Sequence, residues 1–303
     1  MVVMKQRSII NAILIIFFLA GSSATWAGEK INVFVSIAPQ KYFVEAIAGD
    51  RAAVTVLVDP RHSPHDYEPT PAQMMGMSRA QLYFAVGVPF ESTWLTKFSS
   101  VNPAMKVVFT DAGIEKKPID RYEIIGSSTS HEHDGHDHHA EAMDPHIWLS
   151  PALVKIQAGH ILEGLKTMDP SHAGFYEDNH RRFTGDIDRL DRELKDLFPA
   201  GTRGKKFLVF HPSWGYFADA CGLTQISIEI AGKDPKARDV KQLIEFAKAN
   251  QIRMIFIQPQ FSVKQAEIIA RETGATLIVA DPLAENWHEN LKTVASAIRQ
   301  AVR

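Results

Sequence analysis

Apolar residues in this 303-residue chain fall into short dense runs, separated by longer stretches apolar on one face only. In the first half the runs are Ile31–Ser36, Ala53–Val58, Gln81–Gly87 and Lys106–Phe109. In the second half they are Phe207–Phe210, Gln225–Ile230, Arg253–Ile257 and Thr276–Ala280. Nearly continuous apolar character over so few residues predicts parallel strands covered on both faces. Helical spacing lies between them, at Gln40–Ala48, Pro71–Arg79, Phe90–Phe98, Trp214–Ala220, Ala237–Asn250, Ser262–Thr273 and His288–Ala301. The alternation predicts an α/β protein made of two four-stranded parallel-sheet (β/α)4 lobes.

A long helix is expected between the lobes, from Ser171 to Phe198. Phe175, Phe183, Ile187, Leu190, Leu194 and Leu197 share one face, with Glu, Asp and Arg opposite. Pro170 and Ser171 mark its start, Pro199 and Gly201 its stop. At 1.5 Å per residue it would run roughly 40 Å. It is either a strut along both lobes or an ordinary surface helix. The expected division is therefore an N-terminal lobe over 28–170, a linking helix over 171–198 and a C-terminal lobe over 199–303. Within the first lobe, Ile124–Ala142 has no apolar period, and 127–142 is expected to be a His-rich loop.

Residues 1–27 have the form of an export signal. Lys5 and Arg7 precede an apolar run from Ile9 to Ala20, and small residues follow, with cleavage expected after Ala24 or Ala27. The run is shorter than the ~20 residues needed to span a bilayer. Cys221 is the sole cysteine, which excludes an intramolecular disulfide and leaves no Cys at the end of the signal to carry a lipid. A periplasmic, unlipidated protein is the expectation. With 33 basic and 35 acidic residues and no basic stripe, the chain offers nothing to nucleic acid.

Eight of the 13 histidines are concentrated in four places. His65, His146 and His211 each sit in a proline-marked turn, and His131, His133, His136, His138 and His139 form one tract. Imidazole is the commonest ligand for first-row transition metals. His65 follows the second strand, His211 ends the first strand of the second lobe, and Asp281 ends its last strand. His146 stands just before a helix starting near Ser150-Pro151. Ligands of open parallel sheets bind outside the carboxyl ends of the strands. Three imidazoles and one carboxylate from two lobes would make a four-coordinate set suited to Zn²⁺. The prolines restrict the backbone beside each imidazole and lower the entropic cost of holding it. His62 is either a further ligand or gate, or a solvated loop residue. No role is assigned to His160, His172, His180 or His288.

The tract matches neither of two hydrolase signatures. His131-Glu132 is followed at the fifth place by Gly135, not His, and in the H-x-H-x-D-H frame Gly135 replaces the aspartate. It is expected to be a weak chelator that captures metal.

Together these motifs resemble the cluster A-I metal-specific solute-binding proteins of ABC transporters, the zinc-binding members in particular. The resemblance is carried by S-P-H-D-Y-E-P-T-P at Ser63–Pro71, M-D-P-H-I-W-L-S-P at Met143–Pro151 and F-H-P-S-W-G-Y-F at Phe210–Phe217. Q-P-Q-F-S at Gln258–Ser262 and A-D-P-L at Ala280–Leu283 support it. It implies metal held between two lobes by His65, His146, His211 and Asp281. It also implies delivery, by a protein expected to be a monomer, to a membrane permease driven by a cytoplasmic ATPase. Family members that favour manganese often carry a carboxylate at the place of His211, so the imidazole points to zinc; a manganese or iron receptor is the alternative, and a zinc hydrolase the next. Several zinc relatives have a second-lobe disulfide that a single cysteine cannot form.

Overall fold

Eight strands form two separate parallel sheets in the computed structural model, which describes residues 30–119, 143–229 and 233–303. The first sheet comprises β1 (Ile31–Val35), β2 (Ala52–Val56), β3 (Leu82–Ala85) and β4 (Lys106–Phe109), in the order β2-β1-β3-β4. The second comprises β5 (Lys206–Val209), β6 (Thr224–Ser227), β7 (Met254–Ile257) and β8 (Thr276–Val279), in the order β6-β5-β7-β8. The same order in both halves places a crevice beyond the strand ends where the order reverses. Central β3 is buried at every position, whereas edge strand β2 exposes one face and edge strand β8 has no fully buried residue, so the expected two-sided cover holds at the centre of each sheet and thins at its margins.

Nine helices are described: α1 (Ala38–Ala48), α2 (Pro71–Met77), α3 (Pro89–Val101), α4 (Pro151–Met168), α5 (Ala173–Asp196), α6 (Gly215–Cys221), α7 (Ala237–Ala249), α8 (Lys264–Thr273) and α9 (Trp287–Ala301). Helix α5 is the one expected between the lobes. Its apolar stripe, Phe183, Ile187, Leu190 and Leu194, is buried, and it packs on α1 and α4 of the first lobe and on α6 and α9 of the second. It is a strut, about 36 Å long at 1.5 Å per residue. Phe175, expected on the buried face, lies in the first turn of α5 and is 40% exposed. At Gly164 of α4, a Cβ would stand 2.8 Å from the Phe84 ring, so glycine is what lets this helix lie against β3.

One apolar cluster spans both lobes, and the second lobe has a further cluster of its own around Leu208, Ile226, Leu243 and Ile255. The spanning cluster runs from Phe43 and Phe84 through Trp148 and Phe183 to Phe207, Trp214, Trp287 and Leu291. At its centre the indoles exchange hydrogen bonds across the lobes: Trp148 Nε1 donates to Pro282 O at 2.7 Å, and Trp287 Nε1 donates to Trp148 O at 2.7 Å. Phe43 and Trp287 meet edge to face at 5.1 Å. Lys41 and Glu285 add an ion pair at 2.6 Å nearer the surface. Cys221, in α6, is buried, and burial pushes its thiol up to about 12. Among the described residues no helix is long and apolar enough to cross a membrane. The expected signal at 1–27 and the His-rich loop at 127–142 lie outside the described residues.

Candidate metal centre

His65 is placed by the loop that leaves β2. That loop is pinned at its far end by a capping box on α2, in which Thr70 Oγ1 accepts from Gln73 N at 3.3 Å and Gln73 Oε1 accepts from Thr70 N at 2.9 Å. Gln73 also donates to Leu57 O at 2.7 Å and accepts from Tyr67 OH at 2.7 Å, tying both ends of the loop together. Within it, His65 N donates to Ser63 Oγ at 3.2 Å, and Pro64 O accepts from Phe90 N at 3.3 Å.

His146 leads into a single 3-10 turn, Ile147–Leu149, ahead of α4. Asp144 Oδ1 accepts both its backbone N–H at 2.9 Å and its ring Nδ1–H at 2.7 Å. His211 stands two residues beyond β5, with its N–H on Gln258 Oε1 at 3.0 Å and its ring stacked on Phe261 at 4.3 Å. Its Nδ1–H goes to Glu229 Oε2 at 2.6 Å. Both carboxylates thus fix the same tautomer, leaving Nε2 of each imidazole with a free lone pair.

The structure brings the three predicted histidines together. One nitrogen from each lies within 4.8 Å of the other two, and His65 Nε2 is 3.2 Å from His211 Nε2. Two imidazoles on a tetrahedral zinc, each about 2.05 Å from it, would have nitrogens about 3.3 Å apart. The cavity they face is also walled by Pro64, Trp148, Phe261, Pro282 and Leu283. It encloses about 10 Å³, room for the centre of one water-sized particle. Burial, and then the neighbouring His211 and His146, push His65 down to about 3. Burial also lowers His211, against the pull of Glu229. Both rings are therefore neutral donors at neutral pH, the state a metal requires.

Asp281 does not join this set. Its Oδ1 accepts from Leu283 N and from Gln260 Nε2, each at 2.9 Å, which is the turn-forming use of an Asp-Pro step. Gln260 Nε2 also donates to Pro60 O at 2.8 Å, joining the His65 loop to the second lobe. His62 is exposed, 3.6 Å from Asp59, and stands apart from the trio. His160 and His288 are engaged elsewhere, with Ala112 O and Glu289. His131, His133, His136, His138 and His139 lie outside the described residues.

Sequence reading missed Asp144 and Glu229. The first was in view, two residues before His146 in D-P-H, where an aspartate commonly turns back on the backbone. The second depends on sheet register: Val209 pairs with Ser227, and two residues further along each strand come His211 and Glu229.

Two α/β lobes clamped by a long helix, with imidazoles from both converging on a cavity the size of an ion, define the class of metal-receptive solute-binding proteins. A family profile described as "Zinc-uptake complex component A periplasmic" (ZnuA) matches residues 33–301, and the chain belongs to that family. The high-affinity zinc uptake system protein ZnuA of Bacillus subtilis (strain 168) is 29% identical over 265 residues, covering 86% of this chain and 81% of that protein. A solved crystal structure of ZnuA has 40% identity and a TM-score of 0.81, covering 91% of this chain and all of the other. A zinc-bound ZnuA lacking its residues 138–173 has 41% identity and a TM-score of 0.79, covering 90% of this chain and 98% of that one.

Proposed function

We propose that this protein is a periplasmic receptor that binds Zn²⁺ through His65, His146 and His211 and passes it to an ABC permease driven by a cytoplasmic ATPase. The convergence of three imidazoles from both lobes on one small cavity is the observation that carries this reading. Nitrogen donors suit zinc, whereas Mn²⁺ favours oxygen and stands lowest in the divalent series. The match to zinc-uptake proteins favours a receptor over a hydrolase. The fourth position falls to water or to Asp281. Direct ligation by Asp281 requires its carboxylate to release Gln260. Residues 127–142 would collect ions weakly and raise their concentration near the cavity.

The test is competitive titration of metal-free mature protein with Zn²⁺ and Mn²⁺ against a chromophoric chelator. One tight zinc site is expected, outcompeting manganese and surviving deletion of 127–142. Alanine at His65, His146 or His211 should weaken it by at least a hundredfold, as expected for removing a first ligand when even outer partners cost 10–100-fold. A manganese preference, or loss of the tight site with the loop, would overturn the assignment.

A further inference from the structure

Three imidazoles bring no charge to a dication, yet the site is not without charge. Asp144 and Glu229 each bond the Nδ1 of a ligand ring, and both side chains are buried, at 0% and 8% exposed. Asp144 Oδ2 is buried with no hydrogen-bond partner among the described residues. A carboxylate oxygen left in this condition costs free energy unless a charge compensates it. Orientation of His146 does not require that cost, because a carboxamide oxygen could accept the same ring proton. Among the described residues no carboxylate is bonded to the His65 ring, so the trio has two carboxylate partners in all.

We propose that Asp144 and Glu229 are the counter-charge of the transported ion: one buried carboxylate behind His146 and one behind His211 balance a dication whose three protein imidazoles bring no charge of their own. This rests on the zinc-binding reading above and deepens it, because it makes the site selective for charge as well as for donor type. It separates metal–nitrogen bonding, done by the rings, from charge neutralisation, done one atom further out. An oxygen ligand is then not needed for neutrality, and oxygen-preferring ions gain nothing from the site.

The prediction follows from Coulomb's law, since a monocation at the same place feels half the attraction that a dication feels. Asp144→Asn and Glu229→Gln keep a carbonyl oxygen for each Nδ1–H and remove the charge. Each should weaken Zn²⁺ on the order of tenfold and the pair on the order of a hundredfold, within the range seen for outer partners of metal ligands. For Ag⁺, a redox-stable monocation that also takes imidazole, the double variant should lose only about tenfold, the square root of the zinc effect. The melting temperature of the metal-free double variant should equal or exceed that of the wild type, because two buried charges are gone.

Equal factors lost for Zn²⁺ and Ag⁺, or a zinc affinity unchanged in the double variant, would overturn the proposal. A metal-free variant that melts lower and loses both ions alike would show a structural role and overturn it too. Failure of the wild-type protein to bind zinc at the trio is a different outcome, which removes the functional reading rather than the charge assignment.

Discussion

Acid should loosen the metal-free protein through His65, by an amount the site itself sets. Burial and its neighbours hold this imidazole at about 3, against an ordinary value of 6.5. Below pH 6.5 the unfolded chain takes up a proton there that the folded protein refuses. Stability is therefore full above pH 6.5, falls as pH falls, and stops falling near pH 3. Each pH unit inside that window is worth about 1.4 kcal/mol for one such group. From pH 7.5 to 4.5 the loss is about 2.7 kcal/mol, trimmed to about 2 kcal/mol by the ring's partial exposure to screening solvent.

The perturbation is His65→Gln, similar in reach and without a titrating proton. Urea unfolding of both metal-free proteins between pH 7.5 and 4.5 gives the difference directly. Buried Glu91, raised to about 7 by burial, acts with opposite sign, because the folded protein takes up its proton first. That contribution is common to both proteins and subtracts out. The wild type should lose about 2 kcal/mol more than the variant over the window. Parallel pH slopes for the two proteins would refute the claim that His65 is held neutral by its surroundings.

Asp281→Ala should weaken zinc less than tenfold in chelator competition, since water can complete a site dominated by three nitrogens; a loss equal to that of a histidine variant would establish direct ligation. Gly164→Ala should lower unfolding free energy by about 1–3 kcal/mol by chemical denaturation, because the new methyl meets the Phe84 ring. Trp148→Phe should cost about 1–3 kcal/mol by leaving Pro282 O without its donor, and both lobes should still unfold in one transition by circular dichroism and tryptophan fluorescence. Cys221 should resist a thiol reagent in the native protein at pH 8 and react fully in urea, since its thiol is buried and pushed up to about 12.

Much of this architecture was legible in the chain because its signals are local. Dense apolar runs marked all eight strands to within a few residues, and Phe183, Ile187, Leu190 and Leu194 marked the buried stripe of α5. Proline turns after β2 and β5 placed His65 and His211 at strand ends. What stayed hidden depends on pairing across the chain. Glu229 reaches His211 only through the β5–β6 register. Trp148 and Trp287 read as ordinary apolar residues until packing joined their indoles to the opposite lobe. Asp281 lies just past a strand end, as expected, but its carboxylate here accepts from Gln260 and from the local turn, a competition that spacing alone does not reveal.

The volume enclosed by the three rings sets a condition on how cargo arrives. Three nitrogens converging on a space with room for about one water-sized particle leave little place for an ion's own hydration shell, so an ion bound by all three must give up much of its water. Mg²⁺ gives up its hydration shell reluctantly, and imidazole repays little of that cost. The cost of dehydration thus works with the choice of nitrogen donors to disfavour an ion such as Mg²⁺.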